Sequence, residues 1–514
     1  MKEKNRFINS IFIFMFIAII VLPLLFFNHS EGKFSAIENK NLAPKPEMYL
    51  ADGTLNESYI TQYETYFNDN VGFKEEALAI NILLKYKLFG VLDIPNWLLG
   101  EDGNFFYTTG GEDILTYTGQ NAFSEERISN MVRNLEHMNT YFEQNGCRTY
   151  NMFIPNKEAV YSEVYNQNIH NSGEGHLDSL AKYMKEHTDM NVVNIKGALM
   201  SQKDEQLYYK TYDASHWNMN GAFVGYRELM KVIQQDSPEI RVLEKDDFDV
   251  IETPFSGLMQ YYTEIEMLDE KFSFQDVLYE YNLKGGYNAV LVEEPLNGKK
   301  IDPNLNFYHF QNETINNSET LFIVGDSYMY CFLLPMLGES FENVYFVRNT
   351  NAETIMELAE EIKPTIFVFE VAERVVNEAY FEQMSAFKNY MELDIDINRY
   401  QPLNIESQVY IDIPVLNDGK LPLEGDNVVE ILGWAFDEKN DMKPAMVIAE
   451  VNGVYYAAEF YYRDDLAQMG KKYSECGFKF YIPIKILQNS DNIKFYTITE
   501  NEELYQEYKV DILR

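Results

Sequence analysis

Cysteine is almost missing from this chain. Three occur in 514 residues, Cys147, Cys331 and Cys476, far apart and in no CxxC or Cys/His cluster. That argues against a disulfide framework and a structural zinc site, and no other motif for a metal or cofactor is visible. Positive charge is scarce too: 42 Lys and Arg stand against 81 Asp and Glu, a net charge of −39. Nucleic-acid recognition rests on Lys and Arg neutralising phosphates, so a nucleic-acid partner is not expected. Internal repeats and low-complexity tracts are absent.

Long uncharged apolar runs are missing except for one. Residues 7–27 read FINSIFIFMFIAIIVLPLLFF, preceded by Lys2, Lys4 and Arg6. Twenty-one residues at ~1.5 Å each span about 30 Å, the thickness of a bilayer's hydrocarbon. The positive-inside rule puts residues 1–6 in the cytoplasm and everything after Phe27 outside, as a single-pass cell-membrane protein. A cleaved signal peptide would have a shorter apolar core and small residues after it; here Phe26, Phe27, Asn28 and His29 follow. The expectation is an uncleaved anchor.

Hydrophobic residues make up 46% of the chain and aromatics 15%, enough for sizeable cores and more than one domain. Residues 28–80 read as a polar extracytoplasmic stem whose second part begins a helix continuing to Phe89. Over 81–402 short apolar runs alternate with helical periodicity. Strands are expected at 149–155, 190–195, 320–325, 343–348 and 365–371, and helices at Glu125–Asn145 and Ala352–Ile362. The strand runs are continuously apolar, which marks a parallel sheet covered on both faces by helices, an α/β doubly wound domain. From 405 to 514 the texture turns to short aromatic-rich strands with a hairpin signal at Asn452-Gly453, read as a separate β-sandwich.

Two segments carry chemistry. In TLFIVGDSYMY, Thr320–Tyr330, a buried strand ends at Gly325 and Ser327 falls on the strand-to-helix turn, where open α/β sheets place their sites. Backbone N–H groups there can hold an oxyanion, although helix capping alone would also account for Asp326 and Ser327. In YYKTYDASHWNMNGAF, Tyr208–Phe223, Asp213 lies three residues before His216. A serine hydroxyl needs a base of near-neutral pKa, and that base needs a carboxylate to fix its tautomer.

Together, Gly325-Asp326-Ser327 and Asp213-x-x-His216 resemble the GDS and DxxH blocks of the SGNH hydrolase superfamily. The order is inverted: DxxH comes first. That inversion is similar to the alginate O-acetyltransferases and the DHHW family of cell-surface proteins, whose catalytic domains look circularly permuted. ENKNLAPKP, YFNDNVGFK, WLLGEDGNFFY, HWNMNGAF and VAER extend the likeness over most of residues 35–400. It departs at Ala214, where the family's acid usually sits, and at Ser215, which replaces a His.

The resemblance implies an SGNH-type, flavodoxin-like fold and a serine O-acyltransferase acting on a cell-surface or exported polysaccharide. It assigns Ser327 as nucleophile, His216 as base and Asp213 as acid, with no cofactor and no metal. It also implies a multi-pass membrane-bound O-acyltransferase as the source of acetyl groups. Candidates for the oxyanion hole or substrate are the Ser327 N–H, Arg348, Asn349, Arg374 and Tyr328, with Glu370, Glu373, Asn156 and Lys157 as further residues at strand ends. In the C-terminal domain, which resembles small β-sandwiches of carbohydrate-modifying enzymes, Trp434 is expected in the core, with sugar stacking as the alternative. A carbohydrate acetylesterase or a non-catalytic glycan-binding scaffold would share most of these features.

Overall fold

The computed structural model describes residues 2–513 apart from 31, 36–39, 51–52, 90–95, 166–167, 258–273, 294–295, 297–301, 303, 391–392, 394, 424–427 and 469. Part of the ENKNLAPKP stretch therefore lies outside the described residues. Helix α1 (Lys2–Leu25) opens the chain and carries Pro23 in its last turn. Its side chains are described from Ser10 onward, and those of Phe12, Phe14 and Ile19 are exposed. Among the described residues no helix is long and apolar enough to cross a membrane, so the span expected over Phe7–Phe27 gains no support here.

The stem differs from expectation. It holds two helices, α2 (Tyr59–Asn70) and α3 (Lys74–Phe89), rather than one beginning near Tyr66. They break at Val71–Phe73 because the turn docks on the end of α1: Gly72 N donates to Pro23 O and Asn28 N to Asn70 O. Nor is the stem uniformly polar. Leu50, Leu55, Ile60 and Ile80 all stand exposed.

After a short hairpin, β1 (Trp97–Leu99) and β2 (Phe105–Tyr107), the α/β domain begins with α4 (Glu125–Gln144) and β3 (Arg148–Ile154). Next come α5 (His176–His187), β4 (Val192–Asn194) and α6 (Met219–Asp236). A hairpin that periodicity does not announce follows, β5 (Phe248–Ser256) and β6 (Gln275–Leu283). The chain continues through β7 (Val290–Leu291), β8 (Phe307–Gln311), β9 (Thr320–Gly325), the short α7 (Ser327–Tyr330), β10 (Asn343–Arg348), α8 (Ala352–Ile362) and β11 (Ile366–Ala372).

These strands form one seven-stranded sheet in the order β4-β3-β11-β9-β10-β8-β7. The first five run parallel. β8 pairs antiparallel to β10, and β7 antiparallel to β8, a correction to the all-parallel sheet expected. Numbered from β9, the parallel strands follow the order 2-1-3-4-5 of flavodoxin-like sheets, with β9 as strand 1 and β4 as strand 5. The connectivity is thus a circular permutation, and the DxxH segment follows strand 5.

Alternation along the central strands explains their unbroken apolar sequence. Leu321, Ile323, Ile366 and Val368 enter one core with α6, while Phe322, Val324, Phe367 and Phe369 enter a second with α4, α5 and α8. Side chains on both faces of the sheet are therefore taken out of water.

The C-terminal region contains β12 (Gln401–Glu406), β13 (Gln408–Ile413), β14 (Val428–Phe436), β15 (Met446–Val451), β16 (Val454–Ala457), β17 (Glu459–Tyr461), β18 (Gly477–Pro483), β19 (Asn492–Ile498), β20 (Glu503–Gln506) and β21 (Tyr508–Asp511). A six-stranded sheet, β12-β20-β19-β15-β16 with β21 beside β19, faces a four-stranded one, β13-β14-β18-β17. Ile431 and Phe480 from one sheet meet Ala449 and Phe495 from the other in a common core. The hairpin at Asn452-Gly453 has φ of 53° and 84°, the positive values that a tight two-residue turn requires. Trp434 is not in the core. It stacks on the exposed Tyr410 of the neighbouring strand, with centroids 4.2 Å apart and planes 11° from parallel.

Candidate functional site

The carboxyl ends of β3, β11 and β9 lie side by side at the middle of the sheet, and β9 ends in the turn Gly325–Ser327. Asp326 caps α7 by accepting from Tyr328 N at 2.9 Å, and its other oxygen accepts from Ala372 N at 3.0 Å, binding the turn to β11. Asp326 N in turn donates to Glu370 Oε2 at 2.8 Å. Glu370 is fully buried under this turn, and a Cβ on residue 325 would come within 2.6 Å of its Oε2. Only glycine fits there. Burial, then the neighbouring Asp326 charge, pushes the Glu370 carboxyl well above the usual carboxylate range. The capping reading of Asp326 is therefore correct, and the cap leaves Ser327 free to face His216.

His216 arrives on a loop between β4 and α6. Its Nε2 is 2.7 Å from Ser327 Oγ, and its Nδ1 is 2.8 Å from Asp213 Oδ2. The acid is Asp213. The side chain of Ala214, at the family's usual position, packs in a small core with Ala79, Ile82 and Phe105. Asp213 Oδ1 accepts from Ser215 N, Ser215 Oγ and His216 N at 2.8, 3.0 and 3.0 Å. Burial pushes this carboxyl upward, but the His216 imidazole and those hydrogen bonds outweigh it and hold it well below the usual range. Ser215 also places its Oγ 3.1 Å from His216 Nδ1.

The loop is fixed from several sides. Phe105 N donates to Lys210 O and Tyr107 N to Ala214 O, so β2 zips along it. Lys157 Nζ donates to Phe105 O at 2.8 Å and to Tyr209 O at 2.6 Å. Its complete burial lowers the ammonium pKa to about 7. Trp217 is wholly buried and donates Nε1 to Tyr328 O at 3.2 Å, joining the loop to the helix that begins at Ser327.

The remaining sequence candidates divide. Tyr328 is buried, so sugar stacking by its ring is ruled out in this conformation; its hydroxyl donates to Ser215 O and accepts from Arg374. The Arg374 guanidinium lies 4.9 Å from the Tyr328 ring centroid. Burial works against its charge, but Tyr328, Asp113, Asp326 and Asp213 together keep it protonated. Arg348 is exposed at the end of β10. Asn349 N donates to Gly325 O at 2.9 Å, which leaves only its side-chain amide for a ligand, and its Oδ1 is buried without a partner. Asn156 is engaged at both ends, donating N to Glu373 and Nδ2 to Asp113. Among the described residues no cluster of His, Cys, Asp and Glu is arranged to hold a metal. Sequence reasoning missed Asp276 of β6, which binds the loop through three successive amides. No local signal marks it.

The assembly can pass a proton between a serine hydroxyl and an imidazole whose far side faces a carboxylate. Residues 98–283 match the family model described as the SGNH hydrolase-like domain of acetyltransferase AlgX. The matched span holds Asp213 and His216 and ends before Ser327. Similar solved structures include Bacillus cereus PatB1, at 14% identity over 55% of this chain and 98% of that one, with a TM-score of 0.43. A DHHW family protein from Eubacterium siraeum DSM 15702 shares 18% identity over 49% of this chain and 88% of its own, TM-score 0.36. The O-acetyltransferase domain of Pseudomonas putida AlgJ shares 14% over 57% and 99%, TM-score 0.37. No curated protein matches the sequence. The family match agrees with the resemblance named from the motifs: over residues 98–283 the chain is similar to the SGNH hydrolase-like acetyltransferases.

Proposed function

We propose that the chain is an O-acetyltransferase that modifies a cell-surface or exported polysaccharide through an acetyl-Ser327 intermediate. The hydrogen-bonded line Asp213–His216–Ser327 carries this reading. Ser327 Oγ attacks the acetyl carbonyl while its proton passes to His216 Nε2. The Ser327 amide N–H, which meets no acceptor among the described residues, lies beside the carbon under attack and can hold the oxyanion. Collapse expels the donor's oxygen, which takes the proton from His216. A sugar hydroxyl then attacks acetyl-Ser327, giving its proton to His216, and Ser327 recovers it on release. The anionic Asp213 stabilises the imidazolium in both steps.

In this reading the apolar run 7–27 anchors the chain in a membrane and holds the domain outside the cell, a step that rests on its sequence alone. A multi-pass membrane-bound O-acyltransferase supplies the acetyl group. The test incubates the full chain with p-nitrophenyl acetate and follows intact mass and acetate release, with and without candidate oligosaccharides. An acetyl adduct on Ser327 that moves to sugar supports transfer. Adduct that hydrolyses equally fast with or without sugar would establish an esterase instead. Unchanged turnover in Ser327→Ala would remove the reading.

A further inference from the structure

The loop that delivers Asp213 belongs to neither strand nor helix, and one distant carboxylate holds its backbone. Asp276 Oδ2 accepts from three consecutive amides, Lys210 N at 2.8 Å, Thr211 N at 2.8 Å and Tyr212 N at 2.9 Å. Its Oδ1 accepts from Gln206 Nε2 at 2.7 Å and from Val277 N at 2.8 Å. The residue is only 4% exposed. Successive N–H groups converging on one point form an anion-binding nest. Here the protein's own carboxylate fills the nest, and the next residue in the chain is Asp213.

We propose that Asp276 is a positioning residue for the Asp213–His216 pair, setting the direction from which the Asp213 carboxylate meets His216 Nδ1. This rests on the reading that the pair serves Ser327. The geometry gives it a specific reach. Three bonded amides fix the peptide planes of residues 210–212, and Lys157 and β2 fix the carbonyls of Tyr209 and Lys210 from the other side. The loop is thus gripped by its donors on one flank and its acceptors on the other. An amide in place of the carboxylate keeps the size but loses the charge, and its NH2 would face either the three amides or Gln206 and Val277 N–H, donor against donor. Asp276→Asn therefore loosens the donor flank alone.

The consequence to measure is the hydrogen bond between His216 Nδ1 and Asp213 Oδ2, 2.8 Å long, because a displaced carboxylate no longer holds the imidazole in one orientation. The proton in that bond has a low-field resonance in solution NMR of the full chain, which reports the pair whether or not the protein turns over.

In Asp276→Asn and Asp276→Ala we expect that resonance to shift upfield or disappear, as in Asp213→Ala, where the bond is gone. Sulfonyl fluoride labelling of Ser327 should slow by about tenfold or more. Asp276→Glu should recover part of both. Asp213→Ala/Asp276→Ala should label no more slowly than Asp213→Ala does. A resonance that stays put while thermal stability drops, or a further loss of labelling in the double variant, would overturn the proposal in favour of a purely structural role. Should Asp276→Ala fail to fold, the isosteric Asp276→Asn decides alone. If Ser327 resists labelling in the unaltered chain, the transferase reading fails, while the His216–Asp213 resonance still decides this one.

Discussion

The two halves of the site are built in opposite ways. Ser327 sits on the sheet itself, at the end of a central strand, and its turn is tied to the adjacent strand through Asp326 and Glu370. His216 and Asp213 sit on a loop outside the sheet, held by β2, Lys157, Trp217 and Asp276. The first half is fixed by backbone register, so its position follows from the strand. The second is fixed by the backbone of β2 and by the side chains of Lys157, Asp276 and the loop's own Trp217, so each is a place where the site can be loosened without unfolding the sheet.

The largest effect should come from asking whether the halves act as one. Ser327→Ala and His216→Ala should each lower turnover by roughly 10⁴-fold or more, and the double variant should be no slower than either. Multiplying losses in acetate-release assays would mean that the halves work separately. Asp213→Asn comes next. It keeps the shape but offers the wrong hydrogen-bonding pattern to Nδ1, and should slow Ser327 acylation by about 10³–10⁴-fold with the protein still folded by circular dichroism.

Substitutions in the supporting shell should register as stability. On the sheet-borne half, Gly325→Ala should cost about 1–3 kcal/mol in urea unfolding, because its methyl meets Glu370. Pairing it with Glu370→Ala should show a coupling of at least about 0.5 kcal/mol. On the loop-borne half, Trp217→Phe retains most of the ring and removes the bond to Tyr328 O, at about 1 kcal/mol.

One effect is read as a slope. Lys157 has its folded pKa lowered to about 7, against an unfolded value near 10.4. The unfolded chain therefore binds more protons between those values, and this group's contribution to stability rises with pH from about 7 to about 10. Lys157→Met should flatten that part of the melting-temperature profile relative to the unaltered chain. An identical slope would show that the lysine is not desolvated.

This contrast also decides what was legible in the sequence. Strands β9, β10 and β11 announce themselves because burial on both faces needs unbroken apolar runs, and Ser327 follows from where β9 stops. His216 and Asp213 were readable as a short chemical pattern, three residues apart. Their supports were not. Asp276 lies 64 residues beyond Tyr212 in an unannounced hairpin, and no local periodicity connects the two. Burial of Tyr328 and exposure of the Trp434–Tyr410 stack were invisible for the same reason: an aromatic residue has one sequence signature whether it packs inward or outward. The antiparallel edge is not legible because β8 and β7 have five and two residues, and so short a strand carries no sign of its direction.

The permuted strand order has a consequence for the history of each molecule. A ribosome delivers β3, β4 and the His216 loop first, then β9 with Ser327, and only later β11, which belongs between β3 and β9. Until Ile366–Ala372 has emerged, the sheet lacks its keystone, and the turn of Ser327 and the loop of His216 have no common floor.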